Sequence, residues 1–215
     1  MENAMEQPGD SDFPYPILEF DPEQEAIIEP ARCVRPVEDP PEHLVICFFK
    51  EVVEKVVTEH QARIIFRNSW EDGPHHIYET EYKGKRLAFL HSSVGAPAAT
   101  GLLEEAFACG FRKFIVCGGC GVLQKDIAVG NLIVISSAVR DEGTSYHYLP
   151  PGREIGANEV GIRALEAALK EQGVSYRLGK TWTTDAPYRE TRRKAADRRA
   201  EGCIVVEMES ASLMA

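Results

Sequence analysis

The sequence lacks an excess of basic residues. Its 215 residues include 24 Lys and Arg against 34 Asp and Glu, which gives a formal net charge of −10. Nucleic acids and anionic membranes bind to basic surfaces, so we expect neither of them as a partner. A small anionic ligand is still compatible with this balance, because one local cation or a helix N-terminus is enough to bind it.

Long apolar runs are absent as well. No run reaches the roughly 18 residues that would cross a bilayer. Residues 1–14 are polar and acidic, unlike a signal peptide. Cysteines are few, six in all, and several lie within apolar runs, where a free thiol packs as a small hydrophobic group. We therefore expect a cytoplasmic protein with reduced cysteines.

Metal and dinucleotide motifs are also incomplete. Cys117 and Cys120 form a Cys-x-x-Cys pair, but no second pair stands at zinc spacing. The glycines between and after them lack the spacing of a dinucleotide-binding loop. His75 and His76 follow Gly-Pro, and the basic residues at 189–199 belong to a predicted helix, so we expect both groups to be solvated. The sequence predicts no metal site and no organic cofactor.

What the sequence does contain is an alternation of short apolar strands and helices, which is typical of an α/β layered fold. The predicted strands are 43–49, 64–66, 77–82, 86–91, 113–117, 131–135, 176–183 and 203–206, and the predicted helices are 50–59, 98–109, 157–172 and 189–200. Residues 1–40, rich in proline and acidic residues, are predicted to be an N-terminal arm that is partly extended, with a mobile start. The domain proper is predicted at 41–215.

Four segments follow predicted strands directly: residues 47–49, 118–121, 183–185 and 207–209. Ligands of α/β sheets collect at the carboxyl ends of the strands. We therefore expect these segments to surround a binding site.

Four motifs occur in a fixed order. They are Val-Gly-Ala-Pro at 94–97, Cys-Gly-Gly-Cys-Gly at 117–121, Asp-Glu-Gly-Thr-Ser-Tyr-His-Tyr at 141–148 and Val-Glu-Met-Glu-Ser-Ala at 206–211. Together, over roughly residues 43–215, they resemble the purine nucleoside and uridine phosphorylase family, which also contains nucleosidases. The resemblance implies a three-layer α/β/α fold with a mixed central sheet. It also implies a protein that cleaves the N-glycosidic bond of a purine nucleoside or uridine.

The resemblance implies that Glu209 binds the ribose hydroxyls and that Met208 packs under the sugar. A carboxylate suits this role, because it only accepts hydrogen bonds and can take two hydroxyls at once. The alternative is that Glu209 is an ordinary acidic residue at a helix N-terminus, where the helix dipole favours a negative charge.

For the base, the resemblance implies a pocket made by Cys120, Gly121, Thr184, Asp185 and Tyr188. Thr184 and Asp185 could equally cap the following helix. The family usually places an aromatic ring where this chain has a proline, at 187, so base stacking would pass to the neighbouring tyrosine. Two further candidates for the site are His147 and Arg189.

The phosphate or water side of the site is implied at Gly95, Gly118 and Gly119. Family phosphorylases bind phosphate with an arginine and a hydroxyl residue in this region, and the matching positions here, 116 and 119, are valine and glycine. Phosphate, as a co-substrate, would need other cations, of which Lys50, Arg32 and Arg35 are available. Otherwise water is the nucleophile, and both alternatives stay open.

The general-acid aspartate of the family would lie beyond Ala215. We therefore expect a C-terminally truncated domain that lacks its final strand and helix. Such a chain is either an enzyme or a nucleoside-binding protein without turnover. Family sites borrow residues across subunits, so a homo-oligomer is expected.

Overall fold

A computed structural model of the chain describes residues 15–215; the expected mobile start of the arm, at 1–14, lies outside the described residues. The strands are β1 (His43–Cys47), β2 (Arg63–Phe66), β3 (Ser69–Trp70), β4 (Gly73–Pro74), β5 (Ile77–Tyr82), β6 (Lys85–His91), β7 (Lys113–Cys117), β8 (Gly121–Val122), β9 (Leu132–Asp141), β10 (Glu154–Gly156), β11 (Tyr176–Thr184) and β12 (Cys203–Glu207). The α-helices are α1 (Pro30–Cys33), α2 (Lys50–Glu59), α3 (Ala96–Ala108), α4 (Glu159–Glu171), α5 (Arg192–Ala200) and α6 (Ser210–Met214). Short 3₁₀ helices cover Pro16–Leu18, Thr144–His147 and Pro187–Arg189.

The first sheet has the strand order β2-β5-β6-β1-β7. β1 runs parallel to β6 and β7, whereas β5 is antiparallel to its neighbours β2 and β6. The β5–β6 hairpin turns at Lys83 and Gly84, both with positive φ (51° and 73°), the geometry that suits the twist of a two-residue hairpin turn. Alternate apolar residues of β1 and β6, including Leu44 and Leu90, pack on Phe111 to form the main core.

The second sheet has the order β10-β9-β11-β12-β8, with β9, β11 and β12 parallel. Its core contains Trp182, which is fully buried and donates its indole N–H to Asp141 at 2.9 Å. Arg198 of α5 lies over this ring and donates to Asp141 and to Glu201. The prediction that the basic helix is wholly solvated is therefore wrong at Arg198, because paired carboxylates offset the cost of its burial.

The two sheets are joined at residues 118–120. These residues carry the chain from β7, at the edge of the first sheet, to β8, at the edge of the second. The carboxyl ends of β1, β7, β11 and β12 consequently border one region. The predicted α/β fold with mixed strand directions is confirmed, with most strands divided between two five-stranded sheets and β3 paired with β4 in a small separate sheet.

The described part of the arm packs against the chain's own core. Val34 and Val37 contact the main core cluster, and the Val37 N–H donates to the Cys109 carbonyl at 2.9 Å. Pro30 begins α1 at a position that tolerates proline, because the first helical N–H has no partner within the helix. Within residues 15–215, no helix has the length and apolarity needed to cross a membrane.

Candidate active site

A cavity of about 400 Å³ lies where the two sheets meet. Its walls come from the ends of β1 and β12, the turn before α3, the β7–β8 corner and the β11–α5 connection. The lining residues are Phe48, Phe49, Val94, Gly119, Cys120, Gly121, Pro187, Glu190, Val206, Glu207, Met208 and Glu209. The volume falls in the range of small-molecule sites, about 300–1,000 Å³.

Glu207 holds the start of α6. Its Oε2 accepts the backbone N–H groups of Glu209 and Ser210 at 2.8 and 2.6 Å. Its Oε1 accepts the hydroxyls of Thr181 and Thr183 at 3.2 and 2.6 Å. Both carboxylate oxygens are thus occupied within the fold, and it is Glu207 whose side chain accepts the N–H groups at the start of α6.

Glu209 makes no side-chain cap on α6 and lines the cavity instead. The residue is 8% exposed, and its Oε1 accepts the Gly95 N–H at 2.6 Å. Burial raises the pKa of Glu209, and the nearby Glu207 charge raises it further, partly offset by hydrogen bonding from the backbone N–H groups of Gly95 and Met208. The side chain is therefore a largely desolvated acceptor in the cavity lining.

Gly95 has a positive φ of 106°, a conformation that side-chain-bearing residues rarely adopt. This geometry aims its N–H at Glu209 immediately before α3 begins at Ala96. Gly95, which the sequence assigns to the phosphate or water side, thus lies beside the ribose candidate Glu209 in the structure.

The predicted base-pocket residues fall into two groups. Cys120 and Gly121 line the cavity, as do the ribose candidates Met208 and Glu209. Thr184, Asp185 and Tyr188 lie outside the lining. The Thr184 hydroxyl accepts the Ala186 N–H at 3.3 Å, Asp185 accepts the Gly143 N–H at 2.8 Å, and Tyr188 is fully exposed.

On the phosphate or water side, Gly119 lines the cavity and Gly118 packs beneath it against Phe48, where an added Cβ would come to 3.0 Å from the ring. Among residues 15–215, no lysine or arginine belongs to the lining. The charged lining residues are all carboxylates: Glu190, Glu207 and Glu209.

The three cations proposed from the sequence lie elsewhere. Lys50 is exposed at the start of α2, directly after the lining residue Phe49, and is 3.8 Å from Glu54. Arg32 pairs with Glu25 at 2.5 Å, and Arg35 lines a separate cavity beside β2.

The 141–148 segment is shaped by a buried arginine that the sequence did not identify. Arg140 donates to Ser145 Oγ and to the carbonyls of Ser145, Leu149 and Pro150 at 2.8–3.2 Å. The predicted site candidate His147 is exposed in the resulting 3₁₀ helix, and Arg189 is exposed after β11; neither belongs to the cavity lining.

For two residues near the site, no sequence pattern predicted the position that the side chain takes in the structure. Glu190 stands in a loop among basic residues, yet its side chain lines the cavity. His75, expected to be solvated, is 5% exposed: its ring contacts Asp72 at 2.9 Å and Ser93 at 3.3 Å, beside the turn that carries Val94. Local polar partners thus permit its burial.

The Cys-x-x-Cys residues carry free thiols. Both residues are exposed, although partial desolvation raises the pKa of each thiol. A raised pKa reduces the fraction of the reactive thiolate. Cys120 belongs to the cavity lining.

Comparison with known proteins gives a consistent picture. The family model described as the phosphorylase superfamily matches residues 42–215. Guanosine phosphorylase of Halorubrum lacusprofundi is 29% identical over 139 residues, which cover 65% of this chain and 58% of that protein. Uridine phosphorylase of Thermococcus kodakarensis is 36% identical over 118 residues, which cover 53% of this chain and 42% of that protein. The chain thus matches about half the length of these relatives.

Two solved structures share the fold. Uridine phosphorylase from Vibrio fischeri superposes with a TM-score of 0.72 at 24% identity, covering 82% of this chain and 73% of that one. AMP nucleosidase from Bacteroides thetaiotaomicron has a TM-score of 0.72 at 23% identity, covering 84% and 76%.

Proposed function

The chain belongs to the phosphorylase superfamily, and we propose that it binds a nucleoside in the cavity at Glu209 and cleaves its N-glycosidic bond. The observation that carries this proposal is the carboxylate of Glu209: it is buried, its Oε1 accepts the Gly95 N–H, and the residue lines a cavity of about 400 Å³. A fixed, desolvated acceptor is what two sugar hydroxyls require.

The chemistry of the bond suits this arrangement. Cleavage passes through a sugar with oxocarbenium-ion character, which is positively charged. A preorganised carboxylate in a water-poor site stabilises such a charge more than water does, because it needs no reorganisation during the reaction. Glu209 would thus hold the ribose and favour the transition state, while the apolar wall that includes Met208 and Val206 excludes water from the sugar.

The lining supports water as the nucleophile. A phosphate dianion would have to enter beside Glu190, Glu207 and Glu209 without a lysine or arginine among the lining residues in the described part of the chain. Like charges at close range oppose that binding. Phosphorolysis is the second candidate, because the sequence relatives are named guanosine and uridine phosphorylases, with Lys50 next to the cavity as the cation to test.

The nucleoside partner, the homo-oligomer, the cytoplasmic location, the lack of a cofactor and the possible use of phosphate as a co-substrate stay predictions from the sequence.

The proposal is tested by incubating the chain with guanosine, inosine, adenosine and uridine, with and without phosphate, and measuring free base by chromatography. Two variants accompany it: Glu209→Gln, and Glu81→Gln as a matched control. Glu81 is exposed at the β5–β6 hairpin, away from the cavity. We expect the wild-type chain and Glu81→Gln to release free base without phosphate. We expect Glu209→Gln to release none.

Release of free base only in the presence of phosphate would show that water is not the nucleophile, but the proposal that the chain cleaves the N-glycosidic bond would stand. Nucleoside binding without release would reduce the proposal to a nucleoside-binding protein. Absence of any nucleoside binding would contradict it entirely.

A further inference from the structure

A polar cluster of three side chains, Asp72, His75 and Ser93, lies beside the turn that joins β6 to α3. Ser93 donates its hydroxyl to one oxygen of Asp72, and the His75 ring contacts the other oxygen at 2.9 Å. The second ring nitrogen of His75 contacts the carbonyl of His91, the last residue of β6, at 3.2 Å. All three side chains lie outside the cavity lining, so any effect that they have on a ligand is indirect.

The hairpin that carries Asp72, formed by β3 and β4, is itself fixed on α3. Trp70 of β3 donates its indole N–H to the carboxylate of Glu105 at 3.1 and 3.2 Å, and Asn68 donates to the same carboxylate. The Trp70 ring packs on Gly101 of α3, where an added Cβ would come to 2.5 Å from the ring. The hairpin therefore contacts the middle of α3 through Trp70 and the turn before α3 through Asp72.

The turn before α3 carries two groups that reach the site. Ser92 is held by its backbone N–H, which donates to the end of β1 at 3.0 Å, and Ser93 is the next residue. Val94 then lines the cavity, and Gly95 donates its N–H to Glu209 Oε1 at 2.6 Å. Because Gly95 has a positive φ of 106°, the direction of this N–H depends on the backbone of the turn. A shift of the backbone at Ser93 would thus move the donor that holds Glu209.

We propose that Asp72, supported by His75, is a positioning residue that acts through Ser93 to hold the Gly95 N–H against Glu209. His75 is 5% exposed, so its contacts with Asp72 and with the end of β6 form a buried support. Binding groups depend on such a supporting layer of hydrogen bonds, because a displacement of about 1 Å costs roughly 100-fold in rate. The effect on a ligand rests on the proposed nucleoside function, whereas the effect on the Gly95 contact is measurable without a ligand.

The first test therefore measures the Gly95 contact in the chain alone. Hydrogen exchange of the Gly95 amide is followed by NMR in the wild type and in four variants: Ser93→Ala, Ser93→Thr, Asp72→Ala and the control Ser69→Ala. Ser69 is exposed in β3 of the same hairpin and takes no part in the cluster. Ser93→Ala and Asp72→Ala should each exchange at least about 10-fold faster. Ser93→Thr keeps the hydroxyl and should exchange slowly, as should Ser69→Ala.

The second test measures the affinity for guanosine by titration calorimetry. Ser93→Ala should bind guanosine roughly 10-fold more weakly than the wild type, since one charge-assisted hydrogen bond of Glu209 is then misplaced. In the Glu209→Gln background the same change should have little effect, because the sugar contact that the turn supports is already lost. A role in stability alone would lower the melting temperature equally in both backgrounds and leave the affinity of the folded chain unchanged.

The outcomes separate this inference from the proposed function. Unchanged Gly95 exchange in folded Ser93→Ala and Asp72→Ala, with unchanged guanosine affinity, would overturn the positioning role and leave the nucleoside site standing. If the wild type binds no nucleoside, the proposed function fails, while faster Gly95 exchange in both variants would still support the positioning role. An equal loss of guanosine affinity in the wild-type and Glu209→Gln backgrounds would show that Ser93 does not act through Glu209.

Discussion

Replacing Glu209 by glutamine should weaken nucleoside binding without lowering the stability of the folded chain. The amide oxygen can keep the 2.6 Å contact with the Gly95 N–H. The NH₂ group then stands in place of Oε2 and cannot accept from a ribose hydroxyl. The loss of one charge-assisted hydrogen bond is worth about 1.5–3 kcal/mol, so nucleoside affinity should fall roughly 10- to 100-fold.

The assay is a thermodynamic double-mutant cycle in which the substitution at Glu209 is combined with removal of one hydroxyl from the nucleoside. Titration calorimetry compares a ribonucleoside with its 2′-deoxy and 3′-deoxy forms on the wild type and on Glu209→Gln. Removing the hydroxyl that Glu209 binds should weaken wild-type binding but have little effect on the variant, because the contact is already gone. Additive losses for both deoxy forms would refute direct contact between Glu209 and the sugar.

The same variant should not lose stability. Because burial raises the pKa of Glu209, the folded state holds that proton more tightly than the unfolded state does. Wild-type stability from this group therefore increases as the pH falls through the folded pKa, and ionised Glu209 costs stability above it. Glu209→Gln should melt at least as high as wild type at neutral pH, with the difference disappearing at about pH 3, below the pKa of about 4.3 of the unfolded state, where the carboxyl is protonated in both states. A lower melting temperature at neutral pH would contradict this reasoning.

Three further changes test the scaffold. Glu207→Ala removes four hydrogen bonds and should cost about 3 kcal/mol, or a melting temperature lower by roughly 10 °C in calorimetry; an unchanged value would mean that Glu207 does not anchor α6. Arg140→Met removes four hydrogen bonds and leaves the Leu149 and Pro150 carbonyls without that donor, so we expect a loss of about 3 kcal/mol in urea titration and faster proteolysis of the 141–150 segment. Gly179→Ala would place a Cβ 2.2 Å from Ile204 Cδ1; overpacking should cost about 1–3 kcal/mol, and a neutral result would show that the isoleucine rotates freely.

Much of the fold follows from local sequence pattern. The predicted helix at 50–59 and strand at 113–117 have the same bounds as α2 and β7, because their apolar residues follow one clear period. β9 was predicted to end at residue 135 but continues to Asp141. Its second half carries serines and Arg140, whose polar groups find partners only in the folded chain. The two-residue strand β8 is too short to produce any pattern.

The site could be predicted in its motifs but not in its details. The motif at 206–211 identified Glu209, and the structure places that side chain in the cavity. Which of the two glutamates caps α6 depends on Thr181 and Thr183 of β11, which lie more than twenty residues earlier. Glu190 was missed because a loop has no periodicity that indicates the direction of a side chain. Its position depends on how residues 186–191 turn between β11 and α5.

The most direct measurement is a crystal structure of the chain with guanosine bound. We expect ribose hydroxyl oxygens at roughly 2.5–3.0 Å from a carboxylate oxygen of Glu209, with the sugar in the cavity that Gly119, Val206 and Met208 border. A nucleoside bound at another surface, or a ribose turned away from Glu209, would contradict it.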